Sequence, residues 1–301
     1  MDPLSDVLSL VKIRSYWSVG FEWGGEWCIQ FGAYEGIRIY AVVFGECWLS
    51  VEGVAEPILG KPGDYILLPS GRPYRAGSDL ELPPVDALTL FESSGTGGIT
   101  KHRGGGDFMG IGGHFTLAGE SASFLLKELP PILHIRKVSD KAVLRWTLDR
   151  LRQELHDPQP GGSLAAQQLA TMLLIQALRV HLAEGARSSV GWLFALANPR
   201  MRAAISAMHA DPSRRWTLKS LGERSGMSRT TFAVTFKEMV GQSPMEYLTR
   251  WRMMVAGDRL RSSGDPISVI APSLGYESES AFSTAFKRVM GCSPRQYSRQ
   301  T

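Results

Sequence analysis

Residues 226–247 read GMSRTTFAVTFKEMVGQSPMEY, and residues 275–297 read GYESESAFSTAFKRVMGCSPRQY. Phe232, Phe236, Lys237, Gly241, Ser243, Pro244 and Tyr247 of the first stretch recur as Phe282, Phe286, Lys287, Gly291, Ser293, Pro294 and Tyr297 of the second. Seven positions shared at matched spacing describe one supersecondary unit used twice. The unit reads as a helix, a glycine turn, a second helix and a stop, which is the layout of a helix-turn-helix.

Working outward, Thr217 is placed to N-cap a short helix over Leu218 to Ser225, and Gly226 supplies the positive φ needed to leave it. Ser228 caps the next helix, whose Phe232, Phe236 and Met239 form one apolar stripe. Gly241 ends that helix, and Ser243-Pro244 opens another as N-cap and first residue. Pro244 to Ser263 then reads as a single amphipathic rod with Tyr247, Leu248, Trp251, Met254, Val255 and Leu260 on its apolar side. Such a rod spans roughly 30 Å, close to the ~34 Å of one turn of duplex DNA. Two second helices joined by it would reach successive major grooves. The second copy runs from Pro266 to Leu274, turns at Gly275, restarts after Ser278 and stops at Gly291.

Charge divides along the same line. Residues 199–301 hold 16 Lys and Arg against 8 Asp and Glu, a net of +8, whereas residues 1–198 hold 17 against 21, a net of −4. A basic tail on an acidic body is the electrostatic footprint of a nucleic-acid-binding domain.

The last hundred residues resemble the DNA-binding domain of AraC/XylS-type transcription regulators. IAPSLGYESESAFSTAFKRVMGCSPRQY is similar to that family's signature, and GWLFALANPRMRAAISAMHADPSRRWTL resembles the approach to the domain. The lead-in predicts a helix over Pro199 to Ala210 that stops at Asp211-Pro212. The resemblance implies that Arg229, Thr230, Ala233 and Val234 face base edges from the first recognition helix, and Glu279, Ser280, Ser283 and Thr284 from the second. Members of the family often carry arginine at the positions of Val234 or Thr235 and of Thr284, which are uncharged here. Arginine bidentate to guanine is the commonest specific base contact. Reading is therefore expected to rest on Arg229, hydroxyl groups, thymine-methyl packing against Val234 and Ala233, or DNA shape. Lys237, Arg250, Arg252, Lys287 and Arg288 are the expected phosphate contacts. Pro272 falls inside the first helix of the second copy, where a proline costs about 3 kcal/mol. Either that helix is short and starts late, or the copy is locally distorted.

The first two-thirds has no sustained helical period. From about Ile13 to Thr116, short apolar runs such as Ile37–Phe44, Cys47–Val51, Tyr65–Leu68 and Asp86–Phe91 alternate with Gly and Pro, which points to a sandwich or barrel. PILGKPGDYILLPSGRPY (Pro57 to Tyr74) resembles the turn-strand-turn of a cupin barrel. DPLSDVLSLVKIR and ELPPILHIRK resemble the cupin-type sensor domain of one branch of AraC-type regulators. Metal-binding cupins use clustered His with Glu. Here the position often taken by His is Tyr74, and His102 and His114 lack a His-x-His spacing, so no metal, no cofactor and no catalytic residue is expected. A small-molecule effector pocket is expected instead, with Trp27, Tyr40, Trp48, Tyr74 and His114 as its candidates among the many aromatic residues of this region. Cys28, Cys47 and Cys292 form neither a CxxC nor a zinc spacing. A thiol switch at Cys28 or Cys47 would need access and a lowered pKa, and buried reduced thiols are the expected state.

Asp140–Leu155 and Leu164–Glu184 read as amphipathic helices joined at Asp157–Gly162, a pair that the resemblance makes a dimerisation element. Gly185–Val190 reads as a linker. No apolar run approaches 18 residues and no signal peptide opens the chain, so a cytoplasmic protein without a membrane span is expected.

The expected fold is α+β multidomain: a cupin-like β-barrel sensor domain over 1–138, a helical dimerisation and coupling element over 139–184, a linker over 185–198, and an all-α tandem helix-turn-helix over 199–301. The expected function is a sequence-specific, effector-controlled transcription regulator that acts on double-stranded promoter DNA as a homodimer, with RNA polymerase as a further partner. A cupin metalloenzyme with a DNA-binding tail and a non-specific nucleoid-binding protein are the alternatives.

Overall fold

The computed structural model describes residues 2–91, 99–118, 120–136, 141–157, 159–185 and 190–299. The chain divides into two compact units, one formed by 13–118 with 129–181 and the other by 1–12, 119–128 and 182–301.

The first unit carries eleven described strands: β1 (Lys12–Trp23), β2 (Cys28–Phe31), β3 (Ile37–Phe44), β4 (Cys47–Val51), β5 (Ile58–Gly60), β6 (Tyr65–Leu68), β7 (Tyr74–Gly77), β8 (Val85–Asp86), β9 (Ile99–His102), β10 (Phe108–Ala118) and β11 (Leu133–Ile135). They form a six-stranded sheet in the order β11-β6-β3-β10-β1-β9 and a five-stranded sheet in the order β5-β4-β7-β2-β8. Period-two alternation sorts the side chains. Ile29, Phe31, Leu49, Val51 and Tyr74 of one sheet meet Val42, Ile66, Leu68 and Phe108 of the other in one buried core. On the outer side of the larger sheet, Ile39 and Tyr65 border the same small gap as Leu148, Leu151 and Leu173. Three of the four expected strands have the bounds read from sequence. The fourth, Asp86–Phe91, is instead mostly a short helix, Ala87–Phe91. There Asp86 accepts from the Leu88 amide at 2.7 Å, and its carbonyl accepts from the Thr89 hydroxyl, a local cap that overrides the apolar run.

The helices, in chain order, are α1 (Pro3–Leu10), α2 (Ala87–Phe91), α3 (Glu120–Leu126), α4 (Lys141–His156), α5 (Gly162–Gly185), α6 (Trp192–Ala195), α7 (Pro199–Ala210), α8 (Leu218–Arg224), α9 (Arg229–Val240), α10 (Pro244–Ser262), α11 (Ile267–Ser273), α12 (Glu279–Met290) and α13 (Pro294–Arg299). In the second unit α8–α9 and α11–α12 are the two helix-turn-helix copies, and α10 is the rod that serves both. Its Tyr247 packs edge-on against Phe236, while its Met253 and Ala256 enter the core around Phe282 and Phe286. The expected caps form. Ser228 accepts from the Thr231 amide, Ser278 from the Ala281 amide, and Ser243 with Glu246 makes a capping box. Pro272 is accommodated by a short helix: α11 has seven residues, as α8 does, and the proline sits exposed in its last turn.

Two sequence boundaries are corrected here. Both α1 and α3 fold with the helical unit, although 1–138 read as one sensor domain. Leu4 and Val7 of α1 are buried where that helix meets α7 and α10, and Phe124 of α3 stacks on Trp192 with centroids 5.1 Å apart. The expected linker over 185–198 is likewise structured in its second half: Trp192 and Leu193 are fully buried in α6, because two large apolar groups have a partner to cover them. Residues 186–189 of that linker lie outside the described residues.

Candidate functional site

Every position expected to read bases lies on the outward side of its helix. Arg229, Thr230, Glu279, Ser280 and Thr284 are exposed, Ala233 and Ser283 are half-buried, and Val234 keeps 52% of its surface in solvent. An exposed valine on a short amphipathic helix has no reason in packing. Behind this face, Phe232, Phe236, Phe282 and Phe286 are fully buried. The helix period thus sends the repeated phenylalanines inward and the candidate base-facing positions outward. The Thr284 hydroxyl donates back to the Ser280 carbonyl at 3.0 Å, leaving its methyl and its oxygen lone pairs for a partner.

The expected phosphate contacts separate into two kinds. Lys237, Lys287 and Arg288 are exposed near the ends of α9 and α12. Arg250 and Arg252 are not free, which corrects their expected role. Arg250 pairs with Glu120 at 2.8 Å and lies over the Phe124 ring at 4.8 Å. Arg252 donates from Nε to the Pro212 carbonyl at 2.6 Å and from Nη2 to the Arg214 carbonyl at 2.9 Å, and faces the Tyr276 ring. Arg252 is therefore a strut that fastens the loop after α7. The turn it supports is tight: Gly275 has φ +80°, and a Cβ there would come within 2.3 Å of the Ser213 carbonyl oxygen. Only glycine fits both demands.

In the sandwich, an apolar cavity of about 40 Å³ lies between the sheets. Trp27, Tyr40 and Tyr74 line it, as expected from sequence, together with Phe21, Trp23, Phe31 and Phe108. Trp48 is corrected: it follows inward Cys47 and precedes inward Leu49, so alternation turns it out to 38% exposure. His114 is also off the cavity wall. Its ring meets Tyr34 edge-on, and its Nε2 lies 2.6 Å from the Glu35 carbonyl oxygen. His102 packs edge-on against Trp23. Among the described residues no three His, Cys, Asp or Glu side chains gather as metal ligands. Cys28 and Cys47 are buried; burial pushes both thiols up, Cys47 to about 12 with the Asp64 carboxylate adding to the shift, so the reactive thiolate is disfavoured at both.

Sequence reading missed Arg38, whose signal was a lone cation in the apolar strand Ile37–Phe44, two residues from Tyr40 and so on the same face. It also missed Glu128. That carboxylate is pushed up to about 7 by burial, against the opposing effect of the Leu193 and Trp192 amides and of Arg250, and no pattern in the sequence places it against α6.

Comparison with known proteins finds a cupin family model matching residues 2–183 and a helix-turn-helix domain model matching residues 221–300. A Streptomyces lividans protein described as an AraC-like transcription regulator is 41% identical over 298 residues, covering 99% of this chain and 98% of that protein. The HTH-type transcriptional regulator AlkR of Acinetobacter baylyi is 28% identical over 311 residues, covering all of both chains. Among solved structures, the C-terminal domain of AraT, a response regulator from Geobacillus stearothermophilus, aligns at 35% identity and a TM-score of 0.33, covering 35% of this chain and 88% of that one.

Proposed function

Because the chain belongs to the AraC-type transcription regulators that join a cupin domain to a helix-turn-helix domain, we propose that α9 and α12 read promoter DNA in successive major grooves. Arg229, Thr230, Ala233 and Val234 contact base edges in one groove, and Glu279, Ser280, Ser283 and Thr284 in the next. Lys237, Lys287 and Arg288 contact phosphates. The observation that carries this reading is that the repeated phenylalanines Phe232, Phe236, Phe282 and Phe286 are buried, whereas the unrepeated candidate positions are exposed or half-buried on both recognition helices. A framework used twice with two different outward faces is what reading two different half-sites requires.

The sandwich is the effector sensor in this reading. Its cavity-lining strands β1 and β10 are continuous in the chain with α1 and α3, which fold with the DNA-binding helices. An effector that favours one arrangement of those strands would shift the population of DNA-binding states. The helix pair α4–α5 leaves Val143, Trp146, Leu164 and Met172 exposed, an apolar set suited to a homodimer contact. Among the described residues no helix is long and apolar enough to cross a membrane. We place the protein in the cytoplasm as a non-enzymatic regulator, acting at promoters where RNA polymerase is a further partner.

Selection from a randomised duplex library at about 150 mM salt, where non-specific affinity is weak, tests the reading. Two boxes about one helical turn apart are expected. Recovery of no motif would overturn it in favour of an architectural binder.

A further inference from the structure

Among the described residues no carboxylate pairs with Arg38. Its guanidinium carbon stands 4.4 Å from the Tyr34 ring centroid, 5.2 Å from Phe31 and 5.3 Å from Tyr74. Nη1 donates to the Tyr74 hydroxyl at 2.6 Å, while Nε is buried with no hydrogen-bond partner among the described residues. Burial acts against its charge, Tyr40, Tyr74 and Tyr34 favour it, and His114 also faces it, while among the described residues no Asp or Glu pairs with it.

The tyrosines add to the imbalance. The hydroxyls of Tyr40 and Tyr74 hydrogen-bond each other. Burial pushes both phenols up, so both keep their protons. If Tyr40 donates to Tyr74, the Tyr74 proton has no acceptor; if Tyr74 donates, the Tyr40 proton has none. Among the described residues the cluster therefore holds a surplus of buried donors, which is costly if unmet. The rings of Tyr40, Tyr74 and Phe31 also form part of the cavity wall.

We propose that the sandwich takes a slim apolar monocarboxylate, its body among Trp23, Trp27 and Phe108 and its carboxylate accepting from Arg38, Tyr40 and Tyr74. The proposal rests on reading the sandwich as the sensor, and it names the effector's chemistry. A guanidinium fork matches a carboxylate, and one cation balances one negative charge, whereas a phosphate dianion would leave charge uncompensated in an apolar site. Apolar walls disfavour a polar body. With room for only roughly three waters, the cavity must widen around the ligand, displacing rings on β1 and β10.

Tryptophan fluorescence and calorimetry on the full-length protein test this with butanoate, hexanoate, octanoate and phenylacetate, each against its primary amide. At least one acid should bind about ten-fold or more tighter than its amide. Arg38→Gln should lower acid affinity about ten-fold more than amide affinity, and Arg38→Lys should restore part of the preference. Tyr40→Phe should lower acid affinity more than amide affinity, and it decides the matter should Arg38→Gln fail to fold. Acids binding no better than amides, or a preference that survives both Arg38→Gln and Tyr40→Phe, overturns the proposal. The same preparations go through the duplex selection. If a motif is recovered without acid preference, the carboxylate proposal falls and the regulator stands; if no motif is recovered, the regulator reading falls whatever the acids do.

Discussion

In the first helix-turn-helix copy the rings of Phe232 and Phe236 lie 5.6 Å apart, and Tyr247 meets Phe236 edge-on at 5.8 Å. In the second, Phe282 and Phe286 lie 5.7 Å apart, and Tyr297 meets Phe286 edge-on at 5.4 Å. The interiors are near duplicates, yet the surroundings are not. The second turn is one residue longer, since Glu277 stands between Tyr276 and the cap Ser278, and Glu277 pairs with Arg215. The first copy is buttressed by α6, whose Gly191 amide donates to the Met239 carbonyl at 2.8 Å, and by Tyr247, which hydrogen-bonds His209. The second draws its core from α10 to α13 alone. A duplicated framework can therefore carry one copy packed on α6 and α7 and one whose core comes from α10 to α13.

The largest expected effect tests the shared interior. Phe236→Ala and Phe286→Ala should each destabilise their copy by about 3–5 kcal/mol in denaturant titrations. Losses that differ by more than that range would break the equivalence of the cores. Next, Arg229→Ala should weaken binding to the selected site by about 1–3 kcal/mol and relax one box, while Glu279→Ala, which removes a negative charge, should raise non-specific affinity. Equal effects in both boxes would mean that the two faces do not read separately.

Arg252→Ala and Lys287→Ala separate strut from contact. The first should lower stability by about 1–3 kcal/mol with the salt dependence of DNA binding unchanged. The second should leave stability alone and reduce the salt slope by about 1. The smallest effect is a pH dependence confined to the buttressed copy. Glu128, pushed up by burial to about 7, binds its proton more tightly folded than unfolded. Its contribution is present below the ordinary carboxylate range and is lost as pH rises through about 7. Melting curves between about pH 5 and about pH 8 should show that decline, and Glu128→Gln should flatten it.

The helix-turn-helix copies were legible because their signals are local. A capping serine, a turn glycine and an i, i+4 phenylalanine pair act within a dozen residues, and α7 to α12 begin and end within a residue of the sequence reading. The exposure of the positions that the resemblance nominated follows from the same period. The cavity was half legible: aromatic composition nominated Trp27, Tyr40 and Tyr74, which line it, but also Trp48, which the strand turns outward. Asp86 capping Leu88 turned an apolar run into a helix, a competition between local bonds and sheet that apolar counting does not weigh.

Sequence by itself determined the tandem repeat, its caps, its charge and the strand-rich character of the rest, since each is set by neighbours in the chain. Tertiary structure alone decided which cations are free. Lys287 and Arg252 are equally charged in the sequence, but only the second finds the Pro212 and Arg214 carbonyls. It alone left Arg38 facing three rings and no carboxylate, and set Glu128 against the amides of α6. A charge is specified by one residue; its partner is specified by the fold, because the groups that meet it lie dozens of residues away.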